Sequence, residues 1–391
     1  MSLHPTVRSL GLVSLLTDVS SEMIYPLLPA FLTGSLGAGP AFLGVVEGLA
    51  ETLAAFVKLA SGRLSDRLRR RKPLVVAGYS LSSLVRPLVA LAAAPAHVLI
   101  VRLLDRVGKG VRGAPRDALV AEVTAAAERG RAFGFQRAMD HAGAAVGPVL
   151  AAGVLLVTDE LRVVFALAAI PGAFAVLALV RGVREAPRAC GSTRVTTARA
   201  LPLEPALLRY LAVLALFTLG NSSDAFLLLR AQQAGVPLAL VPLLWALHHL
   251  VKAGTSTWGG ALSDRVGRRP TILFGWGLYA LTYAGFAIAH APLAVVGLFV
   301  VYGLFHATTE GAERALVADL AGAASRGRAF GLFHAVTGAV LLPASLLTGL
   351  LWQRFGAGIA LGTGAVLAGL AALGLLLFVP AGDGPDPRRV V

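Results

Sequence analysis

Charged residues stand at helical spacing inside stretches of this chain that are otherwise apolar, and they are the residues able to do chemistry. Asp18 and Glu22 lie one turn apart, and Glu47, Glu51 and Lys58 follow. Arg102, Asp105, Arg106, Lys109, Arg112, Arg116 and Asp117 recur every third or fourth position and form one helical stripe. Arg137, Asp140 and His141 make a further group, and Asn221, Asp224, His248, His249, Lys252, His306, Glu310, Glu313, Arg314 and His334 complete the set. A carboxylate held away from bulk water can exchange a proton near neutral pH or hold a cation. Asp18, Glu22, Asp140, Asp224 and Glu310 are the candidates for that work, with Arg106, Lys109 and Arg137 as neutralising or tuning neighbours. His141, His248, His249, His306 and His334 could relay protons or ligate a metal. No HExxH or HxxxH pair occurs among them, so hydrogen-bonded cavity histidines are the plainer expectation.

The surroundings decide what such charges can be. The chain has 391 residues, 56% hydrophobic and only 14% charged, with a mean hydropathy of +0.75. Soluble domains are about 45–50% apolar and about 25% charged, so an ordinary soluble enzyme is excluded. A bilayer-spanning helix takes roughly 20 apolar residues. Twelve such stretches occur, near 9–33, 41–60, 73–94, 97–122, 132–157, 162–181, 206–229, 237–258, 271–290, 293–318, 329–351 and 357–380. A charge at the centre of a lipid-facing helix costs about 2.5–3.5 kcal/mol. Several charges of the fourth span facing lipid would cost on the order of 10 kcal/mol. That stripe must therefore face a water-filled cavity or a partner helix. Spans 6, 9 and 12 have no interior charge and span 3 has only Arg86, so every third helix suits lipid all round. The single cysteine, Cys190, excludes an internal disulfide or a cysteine-based metal cluster. Leu10–Leu32 carries Asp18 and Glu22 without an A-x-A cleavage site, and reads as a retained first helix.

A net charge of +14 would suggest nucleic-acid binding in a soluble chain. Here its distribution argues otherwise, and no nucleic-acid partner is expected. One set of alternate loops holds Arg63, Arg67, Arg69 to Arg71 and Lys72, then Arg129 and Arg131, then Arg184, Arg188, Arg194 and Arg199. It continues with Arg265, Arg268 and Arg269, then Arg326 and Arg328, then Arg388 and Arg389. The other set holds only Arg162, Arg230 and Arg354. The positive-inside rule then places both termini in the cytoplasm, which an even number of spans satisfies. Residues 1–182 form a first six-helix half and 206–380 a second. Residues 183–205 read as a cytoplasmic linker rich in Arg, Thr and Pro, and 381–391 as a disordered cytoplasmic tail.

The two halves repeat at an offset of 197–198 residues. Gly62-x-Leu-Ser-Asp66-Arg67 recurs as Gly260-x-Leu-Ser-Asp264-Arg265, Ala118-Leu-Val-Ala-Glu122 as Ala315-Leu-Val-Ala-Asp319, and Arg129-Gly-Arg-Ala-Phe-Gly134 as Arg326-Gly-Arg-Ala-Phe-Gly331. The first and third matches fall in loops, so each half is six helices in the same orientation. Parallel repeats of this kind, with a site between them near the midplane, are a transporter architecture.

GRLSDRLRRRKPL (62–74) and GALSDRVGRRPTI (260–272) resemble the loop signature G-x-L-x-D-R-x-G-R-R/K of the major facilitator superfamily. The first copy has Arg69 where the family has Gly, and the second keeps Gly267. RVGKGVRGA (106–114) resembles its fourth-helix motif R-x-x-Q-G-x-x-x-A, with Lys109 in place of Gln. GAAVGPVLAA (143–152) is similar to the fifth-helix pattern G-x-x-x-G-P-x-x-G-G typical of its antiporters, with Ala151 and Ala152 replacing the last two glycines.

The resemblance implies an all-α integral membrane fold, twelve transmembrane helices in two six-helix pseudo-symmetric halves. Helices 3, 6, 9 and 12 would lie outside, and 1, 4, 7 and 10 would line the cavity. Gly62, Asp66, Arg67, Gly260, Asp264 and Arg265 would then form a cytoplasmic gate of ion pairs and helix-end contacts made in one state. Gly143, Gly147 and Pro148 would allow close helix contact and a bend. The expected activity is proton-coupled efflux of a small organic molecule by a monomer in a bacterial-type cytoplasmic membrane. No cofactor and no enzyme chemistry are expected, and no G-x-x-x-x-G-K-[ST] motif for ATP is present. The alternatives are a nickel- or cobalt-type exporter using Asp18, Asp224 and His248 and, more remotely, a non-transporting receptor or a membrane enzyme.

One pattern misleads. Gly108-x-Gly110-x-x-Gly113 satisfies the dinucleotide pattern GxGxxG but lies inside an apolar span with no strand before it. Asn221-Ser-Ser223 likewise fits a glycosylation sequon but sits in the membrane.

Overall fold

The computed structural model describes residues 3–68, 70–125, 129–185, 204–321 and 326–380, with backbone alone at Asp66, Arg67, Arg129, Gly130, Thr257, Arg326 and Gly327. Most of the 183–205 stretch, Arg69, Cys190 and the 381–391 tail lie outside the described residues.

Helices run α1 Pro5–Ile24, α2 Pro40–Arg67, α3 Lys72–Val85, α4 Pro95–Glu122, α5 Arg129–Thr158, α6 Leu161–Leu167 and α7 Ala169–Gly182. They continue with α8 Pro205–Gly220, α9 Ala225–Gln233, α10 Val241–Val266, α11 Arg268–Ile288, α12 Pro292–Leu320, α13 Arg326–Phe355 and α14 Ala357–Phe378. No strand occurs among the described residues. Pro5, Pro40, Pro95, Pro205 and Pro292 each open a helix, at a position where the missing N–H costs nothing and the fixed φ suits the first turn.

Ten helical stretches are long and apolar enough to cross a membrane, α6–α7 and α8–α9 each counting as one. The other two of the twelve spans are α1 and α4. Arg8, Asp18 and Glu22 in α1, and the charged stripe of α4, dilute their apolar runs. The chain is a multi-pass membrane protein of the expected all-α class.

One expectation is corrected. The Gly62–Arg67 and Gly260–Arg265 signatures fall not in loops but in the last turns of α2 and α10, and Arg129–Gly134 opens α5. With 28 residues, α2 is about 42 Å long at about 1.5 Å per residue. The hydrocarbon layer is about 30 Å, so helical ends project well past it and apolar runs understate their length. Gly267, between α10 and α11, has φ +102°, a conformation that favours glycine.

The described residues form two compact units, the first holding α1–α7 and Val236–His249, the second holding α8, α9, the rest of α10 and α11–α14. In the first, α1 packs on α5 and α7, α3 on α4 and α7, and α2 on α4. In the second, α8 packs on α13 and α14, and α11 on α12 and α14. Spans 1–5, 1–6, 3–4 and 3–6 thus pair within one unit as spans 7–11, 7–12, 9–10 and 9–12 pair within the other, so the sequence repeat is also a packing repeat. A helix-end clasp completes the first unit. Glu185 accepts from the N–H groups of Arg71 (2.6 Å) and Lys72 (2.8 Å) at the start of α3, and Lys72 Nζ donates to the Val180 and Val183 carbonyls near the end of α7.

The glycines of the dinucleotide look-alike are packing residues. A Cβ on Gly108 would stand 2.7 Å from the Gly78 carbonyl of α3, and one on Gly110 would stand 2.7 Å from Val57 of α2. Both neighbours of α4 therefore approach its backbone, and Ser61 Oγ donates to the Gly110 carbonyl at 2.8 Å.

Candidate functional site

The stripe on α4 is met by carboxylates and cations of the helices packed against it. Arg86 of span 3 pairs with Asp105 at 2.9 Å and also donates to the Thr17 carbonyl and Ser20 Oγ of α1. Arg102 pairs with Glu47 at 2.7 Å and lies over the Tyr25 ring at 5.5 Å. Arg106 pairs with Glu51 at 3.0 Å. Arg116 pairs with Asp117 at 2.9 Å and donates to Ser14 Oγ at 3.2 Å. Buried charges require such partners, because an uncompensated one costs several kcal/mol or about that. Neighbouring helices and the stripe's own carboxylates thus match Arg102, Asp105, Arg106 and Arg116.

Two members of the stripe differ. Arg112, 7% exposed, lies over the Tyr79 ring at 4.3 Å, and one of its terminal nitrogens is buried without an acceptor. Lys109 is exposed. Among the described residues, neither reaches a carboxylate within ion-pair distance.

Asp18 and Glu22 are placed by the glycine motif of α5. A Cβ on Gly143 would stand 2.5 Å from the Leu15 carbonyl, and one on Gly147 would stand 2.6 Å from the Val19 carbonyl. Only glycine lets the backbone of α1 come so close. Gly143 faces the Cβ of Asp18, and Gly147 faces the Cβ of Glu22. One turn earlier on α5, Asp140 lies 3.9 Å from Arg137 and 4.0 Å from Arg116, and His141 beside it is half-buried. Asp18 is within electrostatic reach of Asp140, Glu22, Arg112 and Lys109. Pro148 follows inside α5. Glu22 Oε2 accepts from Trp245 Nε1 at 2.8 Å, and the Trp245 ring stacks on buried His248 and tilts against Tyr25 at 5.3 Å.

The second unit has its own polar set. Span 7 breaks between α8 and α9, and Asp224 occupies the N-cap position of α9. Tyr302 donates to Asp224 Oδ1 at 2.6 Å, and Tyr279 donates to the Gly220 carbonyl that the break frees. Glu310 pairs with Lys252 at 2.5 Å and with His306 at 3.5 Å. The His306 ring lies edge-on to Tyr302 at 5.0 Å. Trp276 donates to Glu313 at 2.9 Å. Among the described residues no group of three His, Cys, Asp or Glu gathers as a metal ion would require.

At the signature ends, Gly62 meets Ala114 in ordinary contact, while nothing lies near Gly260. The side chains of Asp66 and Arg67 lie outside the described residues. Asp264 pairs with Arg268 one turn on, Arg268 reaches Asp319 at 3.5 Å, and Arg265 is exposed. In the first unit Arg71 pairs with Glu122 at 2.7 Å. Glu122 and Asp319 are repeat counterparts, so both units tie the end of span 4 or 10 to the arginines of the signature.

Sequence reasoning brought together Asp18, Glu22 and Asp140, and Lys252 with Glu310, only as members of spans. It missed Trp245, Tyr302 and Tyr79 as polar or cation-binding partners. Their letters read as apolar, and only their position beside a charge reveals the hydrogen-bonding or π face.

A family model described as Major Facilitator Superfamily matches residues 10–338 and 213–390. An uncharacterized MFS-type transporter of Methanocaldococcus jannaschii is 35% identical over 384 residues, covering 96% of this chain and 95% of that protein. The multidrug resistance protein MdtH of Photorhabdus laumondii is 31% identical over 160 residues, 40% of each chain. Among solved structures, a D-xylose-proton symporter superposes with a TM-score of 0.78 at 16% identity, over 97% of this chain and 98% of that one.

Proposed function

The chain belongs to the major facilitator superfamily of secondary transporters, and from that premise we propose that it exports a small organic molecule in exchange for protons. Alternating access would expose the charged cluster of the first unit first to one side of the membrane and then to the other. The observation that carries the reading is the packing of Gly143 and Gly147 against the turn of α1 that bears Asp18 and Glu22, next to Asp140. Among the described residues Asp18 makes no direct ion pair, unlike Glu47, Glu51 and Asp105. A carboxylate without a fixed counter-charge is available to a proton in one state and to substrate in the other. The partial likeness to a multidrug resistance protein supports export, while the likeness to the symporter bears on the fold alone.

Residues 1–182 and 206–380 serve as the two halves that alternate, joined by 183–205, with both termini and the tail in the cytoplasm of a bacterial-type inner membrane. The protein works as a monomer. Asp224, with Tyr302, and Glu310, with Lys252 and His306, supply the polar groups of the second half. Arg106 and Lys109 tune the carboxylates of the first, and Gly62, Asp66, Arg67, Gly260, Asp264 and Arg265 form the cytoplasmic gate.

The test is fluorescence quenching by an imposed pH gradient in inside-out membrane vesicles. Amines, amino acids, organic acids, common antibiotics, sugars and Ni²⁺ or Co²⁺ are added in turn. Collapse of the gradient by one organic class, lost in Asp18→Asn and absent from empty vesicles, is the expected result. Collapse that survives Asp18→Asn but is lost in Asp140→Asn moves the proton to Asp140. Collapse by Ni²⁺ or Co²⁺ alone overturns the organic substrate, and no response to any compound overturns proton exchange.

A further inference from the structure

We propose that the first unit binds a dipolar substrate, an organic molecule carrying both an ammonium group and a carboxylate, between Asp18 and Glu22 of α1 and Lys109 and Arg112 of α4. This inference rests on the transport reading and adds the class of substrate.

Asp18 and Glu22 are four residues apart and share one face of α1, while Lys109 and Arg112 are three apart and share one face of α4. The two faces feel each other: Asp18 is within electrostatic reach of Lys109 and Arg112, and Glu22 is within reach of Lys109. No direct ion pair joins them. The charges around them are already matched, Arg86 by Asp105, Arg102 by Glu47, Arg106 by Glu51 and Arg116 by Asp117. Asp140 is held between Arg116 and Arg137. Among the described residues, Asp18 and Glu22 of α1 and Lys109 and Arg112 of α4 enter no direct ion pair, although Glu51 and Asp105 also act on the two cations at longer range.

Arg112 gives the independent sign of a ligand. It is 7% exposed, its guanidinium is pinned on the Tyr79 ring, and a terminal nitrogen is buried with no acceptor. Such a donor in a polar site is completed by an anionic oxygen. Glu22 keeps one oxygen on Trp245, which fixes its carboxylate. A purely cationic substrate would answer Asp18 and leave Arg112 unmatched. A purely anionic one would answer Arg112 and leave Asp18 unmatched. A molecule with both charges answers the carboxylates of α1 and the cations of α4 together, and a proton taken by Asp18 would weaken its hold on the ammonium group, which is the competition that exchange transport needs.

The probes are straight-chain ω-amino acids from glycine to 6-aminohexanoate, each with its matched alkylamine and alkanoate. Thermal stabilisation of the full-length protein in detergent reads binding without transport. At least one amino acid is expected to stabilise at a concentration about tenfold or more below its amine and its acid, since losing either charge forfeits a charge-assisted contact. Asp18→Asn should bring that amino acid to the level of its acid, and Arg112→Gln to the level of its amine, with Arg112→Lys retaining part of the effect. Equal stabilisation by the amine or by the acid overturns the proposal. So does the absence of stabilisation by every probe, which would mean that the four charges serve only one another. The wild-type comparison decides the matter even where a variant does not fold. Collapse of the vesicle pH gradient by another class of compound would sink this inference and leave proton exchange standing. Stabilisation specific to the amino acid without a gradient response would do the reverse.

Discussion

A side-chain carbon on Gly143 would stand 2.9 Å from the Cβ of Asp18, so the carboxylate of α1 is seated directly on a glycine of α5. The atoms nearest to such a carbon, and to one on Gly147, are backbone carbonyls of α1, which cannot turn aside as a side chain can. Gly143→Ala and Gly147→Ala should each cost about 1–3 kcal/mol through overpacking and lower the melting temperature in detergent. Gly153, on the same helix, has nothing near it, so Gly153→Ala is the control and should leave the melt unchanged or slightly raised, since Ala favours the helix over Gly. A melt for the first two no different from the control would mean that α1 and α5 are not in such close contact.

The Arg86–Asp105 pair is buried on both sides, with side chains 6% exposed each. Removing one partner leaves a charge in a nonaqueous surrounding, whereas removing both does not. Arg86→Met and Asp105→Leu should each destabilise by about 3–5 kcal/mol, and the double variant by clearly less than their sum. Denaturation of the four proteins in mixed micelles gives the coupling. Additive losses would show that the two residues act separately.

Arg86 also marks how far the sequence can be read. Composition, periodicity and the charge of alternate loops specify twelve helical spans and two repeated halves, because each is a property of the chain's own order. The stripe on α4 is legible for the same reason, and so is the demand that it face something other than lipid. Its partners are not legible. Arg86 stands alone in an otherwise lipid-compatible span, and nothing local indicates that it points to Asp105. Gly143 and Gly147 show in the sequence as a helix-contact motif, but the turn of α1 that they seat is fixed only by packing. Helix ends escape for a different reason. Gly62–Arg67 is polar enough to read as a loop, yet backbone hydrogen bonding carries α2 through it once the helix has left the hydrocarbon.

Arg162 and Arg230 are two of the three arginines at the span ends that otherwise lack Lys and Arg. They lie in α6 and α9, and both are tied to carbonyls at the ends of other helices. Arg162 donates to the Ala90 and Ala92 carbonyls at 2.5 and 2.8 Å, and Arg230 to those of Phe286 and Ala289 at 3.0 and 2.5 Å. A cation there answers orphan acceptors and the negative end of the helix dipole. Arg162→Ala and Arg230→Ala should each cost about 1.5–3 kcal/mol. Lysine, with a single ammonium in place of a fork, should recover only part at either position. Arg354, for which no such bond is formed among the described residues, should tolerate alanine. Melting temperatures of the five variants test this, and equal effects at all three sites would refute the capping role.

Lys252 and Glu310 offer the sharpest separation of function from stability. Their side chains are 17% and 44% exposed and His306 also contacts the carboxylate, so removing one charge should cost about 1 kcal/mol, well below the roughly 3–5 kcal/mol of a fully buried pair. Glu310→Gln should therefore shift the melting temperature little. If the carboxylate takes part in proton exchange, the same variant abolishes collapse of the vesicle pH gradient, because an amide cannot pick up and release a proton in the working range. Glu310→Asp keeps the titratable group and should retain part of the flux. His306 also contacts Glu310, so Lys252→Gln leaves the carboxylate one partner and should impair flux less than Glu310→Gln does. The opposite pattern, a large drop in melting temperature with flux per folded molecule intact, would make the pair a structural tie between α10 and α12. Proton exchange would then rest on Asp18, Asp140 and Asp224.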